Sequence, residues 1–391
     1  MKARRLVEAF VALTLGIGAC APASAQSISA LAADLQTLQV QIASGDKSAY
    51  AAQPERLKAI GAAIAAAKPE VWQSKSETDA AIIYLLSGGQ PREIVQLLES
   101  GAVPKSEVSF MRGAVAYIVG NEAEAKKRLG DIDPRTLDLR LAGQVAFAQS
   151  VIETSRDEKK AMALLDLARL LAPGGLVEEA ALRREISLAG NQRDIDRFVS
   201  LSRQYATRFG SSVYADNFLQ GLAVAALQAS LIEDLPSFQK FSVLVSSLTP
   251  DVRRGFLLTI ARAEAVNGKF AIAGLASAEA LREAPSDSAD EARGRLYEAS
   301  ARILTPEYDD GLAELQRVTP SKLDKRDQAL LGAVRGVAAY LREPPGEPDP
   351  GHEQAPPPQG GNDEAAATIA LAEAAISRAA ALASVAEKGN L

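Results

Sequence analysis

The chain has very few of the side chains that most hydrolases and metalloenzymes depend on. Its 391 residues include a single histidine, His352, and a single cysteine, Cys20. A serine–histidine–aspartate triad, a cysteine–histidine dyad and a zinc site with several histidine or cysteine ligands are therefore not expected, and no disulfide can form within the chain. His352 stands in a proline- and glycine-rich stretch without an orienting neighbour, which argues against a catalytic role. We predict no catalytic residues, no cofactor and no metal.

The chain also lacks an excess of basic charge, long hydrophobic runs and aromatic residues. Lys and Arg number 43 against 49 Asp and Glu, which gives a formal net charge of −6. A nucleic-acid partner would favour a basic stripe, so none is expected. Beyond residue 25 nothing approaches 18 consecutive apolar residues, so no transmembrane segment is predicted. Aromatic residues, on which sugar rings stack, make up only 5% of the chain. This low content argues against one possible function, that of an exported hydrolase that cleaves polysaccharide with two carboxylates.

The first 25 residues have the pattern of a secretory signal peptide. Three basic residues lie within the first five positions, an apolar run covers residues 6–19, and Ala23-Ser24-Ala25 offers a small-residue cleavage site before Gln26. The apolar run is too short to span a membrane. We therefore expect an exported protein in the periplasm.

A second interpretation of the same stretch stays open. Ile17-Gly18-Ala19-Cys20 also resembles a bacterial lipobox, in which the Cys20 thiol would carry a lipid anchor. We favour cleavage before Gln26, because the mature chain would then have no cysteine, which suits an oxidising compartment. The mass of the mature N-terminus separates the two interpretations.

Residues 27–343 are predicted to form an all-α, helix-pair solenoid of the tetratricopeptide type. Good helix formers are abundant, and apolar residues recur every three or four positions. The positions at which helical stretches are predicted to end lie 35 to 40 residues apart, and a weaker helix break lies between each stop and the next. That period indicates stacked helix pairs, and the alternative is an irregular helical bundle. The stops are Asp133-Pro134, Ala172-Pro173, Phe209-Gly210, Thr249-Pro250, Ala284-Pro285 and Thr319-Pro320.

One unit fits the tetratricopeptide pattern in detail. Leu257, Ile260 and Ala261 begin it, Gly268 marks its inner turn, and three further positions, Ala273, Ala280 and Pro285, have the spacing that this pattern requires. Small alanine faces let two helices approach closely, and proline ends the unit.

The two ends of the chain are less regular. Four helices are predicted before residue 100, the second of them beginning at Pro54, and this region is expected to cap the array. Residues 344–362 are rich in proline and glycine and are predicted to form a linker. Residues 363–391 are alanine-rich and predict a C-terminal helix, which either docks on the solenoid or awaits a partner.

Arginine and tyrosine cluster between residues 183 and 214, and these types are favoured at interface hot spots. Acidic pairs such as Glu178-Glu179 are expected to be solvated charges or helix caps rather than cation sites. The candidate partner-binding residues are Arg183, Arg184, Arg203, Tyr205, Arg208 and Tyr214.

Three stretches carry a family resemblance. They are DLARLLAPGGLVEEAALRREI at residues 166–186, the segment at residues 198–218, and AIIYLLSGG at residues 81–89 followed by Pro91. These stretches resemble the MotC family, periplasmic motility proteins of rhizobia and related alphaproteobacteria. The similarity covers roughly Leu35 to Leu341.

The resemblance implies a non-enzymatic chemotaxis and motility protein that acts in the periplasm, binds the stator protein MotB and is needed for flagellar rotation. It brings no catalytic residues. The residues by themselves leave another class open, a tetratricopeptide-like adaptor of envelope assembly unrelated to motility.

Overall fold

The computed structural model describes residues 26–342, and these residues fold into α-helices and short 3-10 turns without a β-strand. The prediction of an all-α helix-pair array is confirmed. The predicted signal peptide, linker and C-terminal helix, with Cys20 and His352, lie outside the described residues. The N-terminal helices are α1 (Ile28–Ala43), α2 (Lys47–Ala66), α3 (Lys75–Leu86), α4 (Pro91–Glu99), α5 (Lys105–Ile118) and α6 (Glu122–Leu129), with 3-10 turns at Pro69–Gln73 and Pro134–Thr136.

Each interval between the predicted stops contains one helix pair. In the third interval the second helix is split in two, and a final helix follows the last stop. The helices are α7 (Leu139–Glu153), α8 (Glu158–Leu171), α9 (Leu176–Asn191), α10 (Ile195–Phe209), α11 (Ala215–Gln228), α12 (Leu235–Lys240), α13 (Ser242–Ser247), α14 (Pro250–Val266), α15 (Phe270–Arg282), α16 (Ala289–Arg302), α17 (Tyr308–Arg317) and α18 (Lys325–Arg342), with a 3-10 turn at Pro320–Lys322.

Aspartates placed at the breaks explain why the helices begin where they do. The carboxylates of Asp138, Asp157 and Asp194 accept hydrogen bonds of 2.9–3.0 Å from backbone N–H groups in the first turns of α7, α8 and α10. Such a cap satisfies an N–H group that has no partner within the helix, and it stabilises the helix by about 1 kcal/mol.

The unit at residues 257–285 packs as the pattern predicts. Leu257, Ile260 and Ala261 on α14 are buried in one cluster with Ala280 on α15. Ala273 on α15 is buried against Ala265 on α14. Gly268 adopts a φ of +78° at the turn between the two helices, a conformation that favours glycine.

The predicted start of the second helix at Pro54 is wrong. Helix α2 begins at Lys47, because the Asp46 carboxylate caps it by accepting from the N–H groups of Ser48 (2.8 Å) and Ala49 (3.1 Å). Pro54 therefore lies inside the helix, on its exposed side. Proline has no N–H group, so one backbone carbonyl in the preceding turn lacks its helical donor, and on the exposed side water can donate to it instead.

Helix α1 departs from a simple stack of neighbours, because it crosses the amino-terminal ends of α3, α7, α9 and α11. Its partners are distant in sequence, and we call this set of contacts the α1 seam. It includes hydrogen bonds from Ser29 Oγ to Glu77 Oε1 (2.6 Å), from Gln36 Nε2 to the Arg140 carbonyl (2.6 Å) and from the Val213 N–H to the Ile42 carbonyl (3.3 Å), and the packing of Val40 near Gly175.

Candidate functional site

Helix α9 lies between α7 and α11 and divides two grooves. One of its faces is buried, whereas Arg183, Ser187 and Asn191 lie at intervals of four residues on the other and line both grooves. We call the surface formed by α7, α9 and α11 around these residues the α9 face.

The two grooves have similar size but different chemistry. The groove between α9 and α11 has a volume of about 390 Å³ and is lined by Phe198, Phe218, Asn217 and Gln228, among others. The groove between α7 and α9 has a volume of about 470 Å³, and Arg184 and Phe147 line it. Neither groove is lined by an aspartate or glutamate. A hydrolytic pair of carboxylates is thus not found in either groove.

Arg183 and Arg184 supply the positive charge of this surface. The Arg183 guanidinium carbon lies 5.5 Å from the centre of the Tyr214 ring, a distance at which the ring attracts the cation. Burial raises the pKa of the Tyr117 hydroxyl on α5, and the nearby Arg184 charge opposes this shift. The basic surface therefore extends from Tyr214 at the start of α11 towards α5.

Glutamates on the opposite side of α9 hold this helix in place. Glu179 is fully buried and accepts hydrogen bonds from the hydroxyls of Tyr205 (2.8 Å) and Ser212 (2.9 Å). Burial, and then the hydrogen bond to Glu179, raise the pKa of Tyr205, so its hydroxyl stays protonated and donates.

Glu178 fixes the start of α9. Its Oε2 atom accepts from the Gly174 N–H (2.6 Å) and from the Arg208 guanidinium (2.7 Å). Of the pair Glu178-Glu179, the expectation of a cap holds for Glu178, but the expectation of solvated charge is wrong, because both residues are buried. Spacing alone does not reveal this, since the donors other than the Gly174 N–H come from α10 and the segment after it.

A third buried glutamate on α9 faces α8. Arg169 donates to Glu185 at 2.7 Å and also to Gln204 on α10. Burial raises the pKa of Glu185 to about 8, and the Arg169 charge only partly opposes this shift. Helices α8, α9 and α10 are thus joined by one polar cluster behind the α9 face.

The structure places the six candidate partner-binding residues in different environments. Arg183, Arg184 and Tyr214 lie at the α9 face, while Arg203 is exposed on α10 and Arg208 is held by Glu178. Tyr205 is 0% exposed and belongs to the core, so it offers no surface to a partner.

Sequence reasoning missed the amide and hydroxyl groups of the grooves. Ser187, Asn191, Asn217 and Gln228 line them, but no motif or spacing signals such residues. Partner binding by the predicted residues stays a prediction.

Neither a metal-binding cluster nor a membrane-spanning helix is found among residues 26–342. Within residues 26–342 no group of three or more histidine, cysteine, aspartate or glutamate side chains is arranged to hold a metal ion. No helix of the same residues combines the length and hydropathy needed to cross a bilayer.

The fold and the α9 face together define an all-α helix-pair repeat protein with a basic, carboxylate-free pair of grooves. Comparison with known proteins gives the family. The profile of the family described as "Chemotaxis protein MotC" matches residues 1–390, and the chain belongs to this family. It is 29% identical over 327 residues to "Chemotaxis protein MotC" of Rhizobium meliloti (strain 1021), which covers 82% of this chain and 74% of that protein. No solved structure matches the chain.

Proposed function

We propose that this chain is a non-enzymatic periplasmic motility protein that is required for flagellar rotation and binds the periplasmic part of the stator protein MotB. The observation that carries the proposal is the family match over residues 1–390, together with the description of that family as chemotaxis proteins. The signal-peptide pattern of residues 1–25 supports a periplasmic location.

The α9 face supports a binding role and is our proposed contact surface. Rigid stacked helices present side chains in fixed positions, which is how helix-pair arrays usually bind proteins. Arg183 is positioned by Tyr214, and apolar groove walls lie beside it. Arginine and aromatic residues beside apolar pockets are typical anchors of protein interfaces.

Binding would act on the stator by shifting an equilibrium. A bound protein favours one state of its partner only as far as its affinity for the two states differs. No covalent step is needed for this action.

The proposal is tested with purified protein and the periplasmic part of MotB. Exchanging both arginines, Arg183→Glu with Arg184→Glu, should weaken binding at least tenfold in isothermal titration calorimetry, because hot-spot residues contribute more than 1.4 kcal/mol each. Arg203→Glu is the matched control, since this arginine is exposed on α10 away from the grooves.

The same question is asked in cells. A deletion strain should build flagella but fail to rotate them, and the double-arginine variant should restore rotation less well than Arg203→Glu. Normal swimming of the deletion strain, with no binding of MotB by the wild-type protein, would refute the proposal.

A further inference from the structure

The two arginines of the α9 face lack a counter-charge, in contrast to Arg169 on α8 and Arg208 on α10. Arg169 and Arg208 each lie 2.7 Å from a buried glutamate. Neither Arg183 nor Arg184 has a carboxylate oxygen within 4.0 Å among residues 26–342. The Arg184 Nε is buried without a hydrogen-bond partner. Two adjacent unpaired guanidinium groups in carboxylate-free grooves favour an anionic occupant.

The same chain contains a strongly acidic segment. Residues 343–364 have no lysine or arginine, and they follow directly on Arg342, the last residue of α18. Their proline and glycine content favours extended backbone, which leaves the side chains available for contact. The acidic residues of this segment are Glu343, Glu347, Asp349, Glu353, Asp363 and Glu364.

The segment is long enough to reach the α9 face. Helix α18 packs on α16, α16 on α14, α14 on α11 and α11 on α9. Four such steps at 8–10 Å each give a separation of roughly 40 Å. A proline-rich chain extends about 3.1 Å per residue, so positions 353 to 364 lie at reaches of roughly 35 to 65 Å from Arg342.

We propose that residues 343–364 fold back onto the α9 face, where their carboxylates pair with Arg183 and Arg184. Tethering raises the local concentration of the segment to the millimolar range, so individually weak ion pairs suffice. If the α9 face also binds MotB, as proposed above, the segment competes with that partner. Fold-back itself does not depend on that function.

Distance measurement between two spin labels tests the fold-back. The chain beginning at Gln26 contains no cysteine, so Ala355→Cys and Gln220→Cys give two unique labelling sites. Gln220 is exposed on α11 and does not line a groove. We expect a short-distance population in double electron–electron resonance at low ionic strength. At about 1 M NaCl, where the Debye length falls to about 3 Å, this population should disappear.

Charge reversal identifies the site. Arg183→Glu with Arg184→Glu should reduce the short-distance population roughly tenfold, which corresponds to the loss of one or two ion pairs, whereas Arg203→Glu should leave it unchanged. Circular dichroism of each variant establishes that the fold is retained. An identical distance distribution in wild type and the double variant would overturn the proposal. Loss of the signal on dilution with unlabelled protein would overturn it too, by assigning the contact to a second copy. No partner is present, so failure here leaves the MotB proposal standing.

Discussion

At the scale of single residues, the pKa of a buried glutamate depends on which side chains surround it. Glu153 accepts from Lys160 at 2.9 Å and from Lys126 at 3.1 Å, and the bond from Lys160 is the main reason why its pKa is lowered. Glu185 is fully buried and meets one arginine, and burial raises its pKa to about 8. The ionised form is therefore stabilised in Glu153 and penalised in Glu185.

Replacement of Glu185 tests this difference. The pKa of Glu185 in the folded chain is about 8, above its ordinary value of 4.5. Between about pH 5 and pH 8 the folded chain thus holds a proton that the unfolded chain has released, and the free energy of unfolding falls as pH rises. Glu185→Gln should remove this contribution, on the order of a few kcal/mol across the window.

The measurement is urea unfolding of wild type and variant at several pH values. Glu55→Gln is the control, because the Glu55 side chain is 80% exposed. Parallel pH dependence of wild type and Glu185→Gln would show that Glu185 titrates normally. If the free energy of unfolding depended less on pH in Glu55→Gln than in Glu185→Gln, the titration of a group other than Glu185 would be responsible.

At the scale of elements, the α1 seam joins parts of the chain that are far apart in sequence. Gly45 ends the turn after α1 with a φ of +103°, and a Cβ atom there would overlap the backbone oxygen of Ser211. Tyr50 on α2 packs edge-on against Tyr214, with ring centres 5.7 Å apart. The start of α11, and with it the support of Arg183, therefore depends on the N-terminal helix pair.

Substitution of Gly45 tests this dependence against a matched glycine. Gly101→Ala faces open space at a φ of +72°, so it should cost only the backbone strain of about 1–2 kcal/mol. Gly45→Ala adds a collision with backbone and should cost on the order of 3 kcal/mol or more. Hydrogen exchange should accelerate in residues 28–50 and 209–215 for Gly45→Ala alone. Equal effects of the two substitutions would mean that the seam contact at Ser211 contributes little.

At the scale of the whole molecule, stability is distributed along the array, because most contacts between helices join helices no more than three places apart along the chain. The C-terminal end is held by Asp327, which is buried and accepts from Tyr297 (2.9 Å) and from Arg262 (3.1 Å). These contacts join α18 to α16 and α14.

Asp327→Asn should loosen only this end of the array. The asparagine amide has a single acceptor oxygen and carries no charge to pair with Arg262. Because Arg262 is partly exposed, water can solvate it, and the free energy of unfolding should fall by about 2–3 kcal/mol. Hydrogen exchange should increase in α16 to α18 and stay unchanged in α3 to α7, since the partners of Asp327 lie only on α14 and α16 among the helices before α18. Asp309→Asn, at an exposed position nearby, serves as the control. Faster exchange across the entire chain would contradict a distributed array and indicate one cooperative unit.

The sequence by itself determined the helix-pair architecture and the stops between successive pairs, although it placed the start of α2 seven residues too late. Proline, glycine and capping aspartates act through backbone geometry within a few residues, so they are visible without a structure. The family resemblance was likewise carried by contiguous stretches such as residues 166–186, and the family match confirms it.

Only the tertiary structure decided which side of each helix meets another part of the chain. Tyr205 and Tyr214 look alike in sequence, yet one is buried on Glu179 and the other lies beneath Arg183 at the surface. The α1 seam was also hidden, because its contacts join residues up to about 170 positions apart. Burial and counter-charge depend on such distant neighbours, and local patterns contain no information about them.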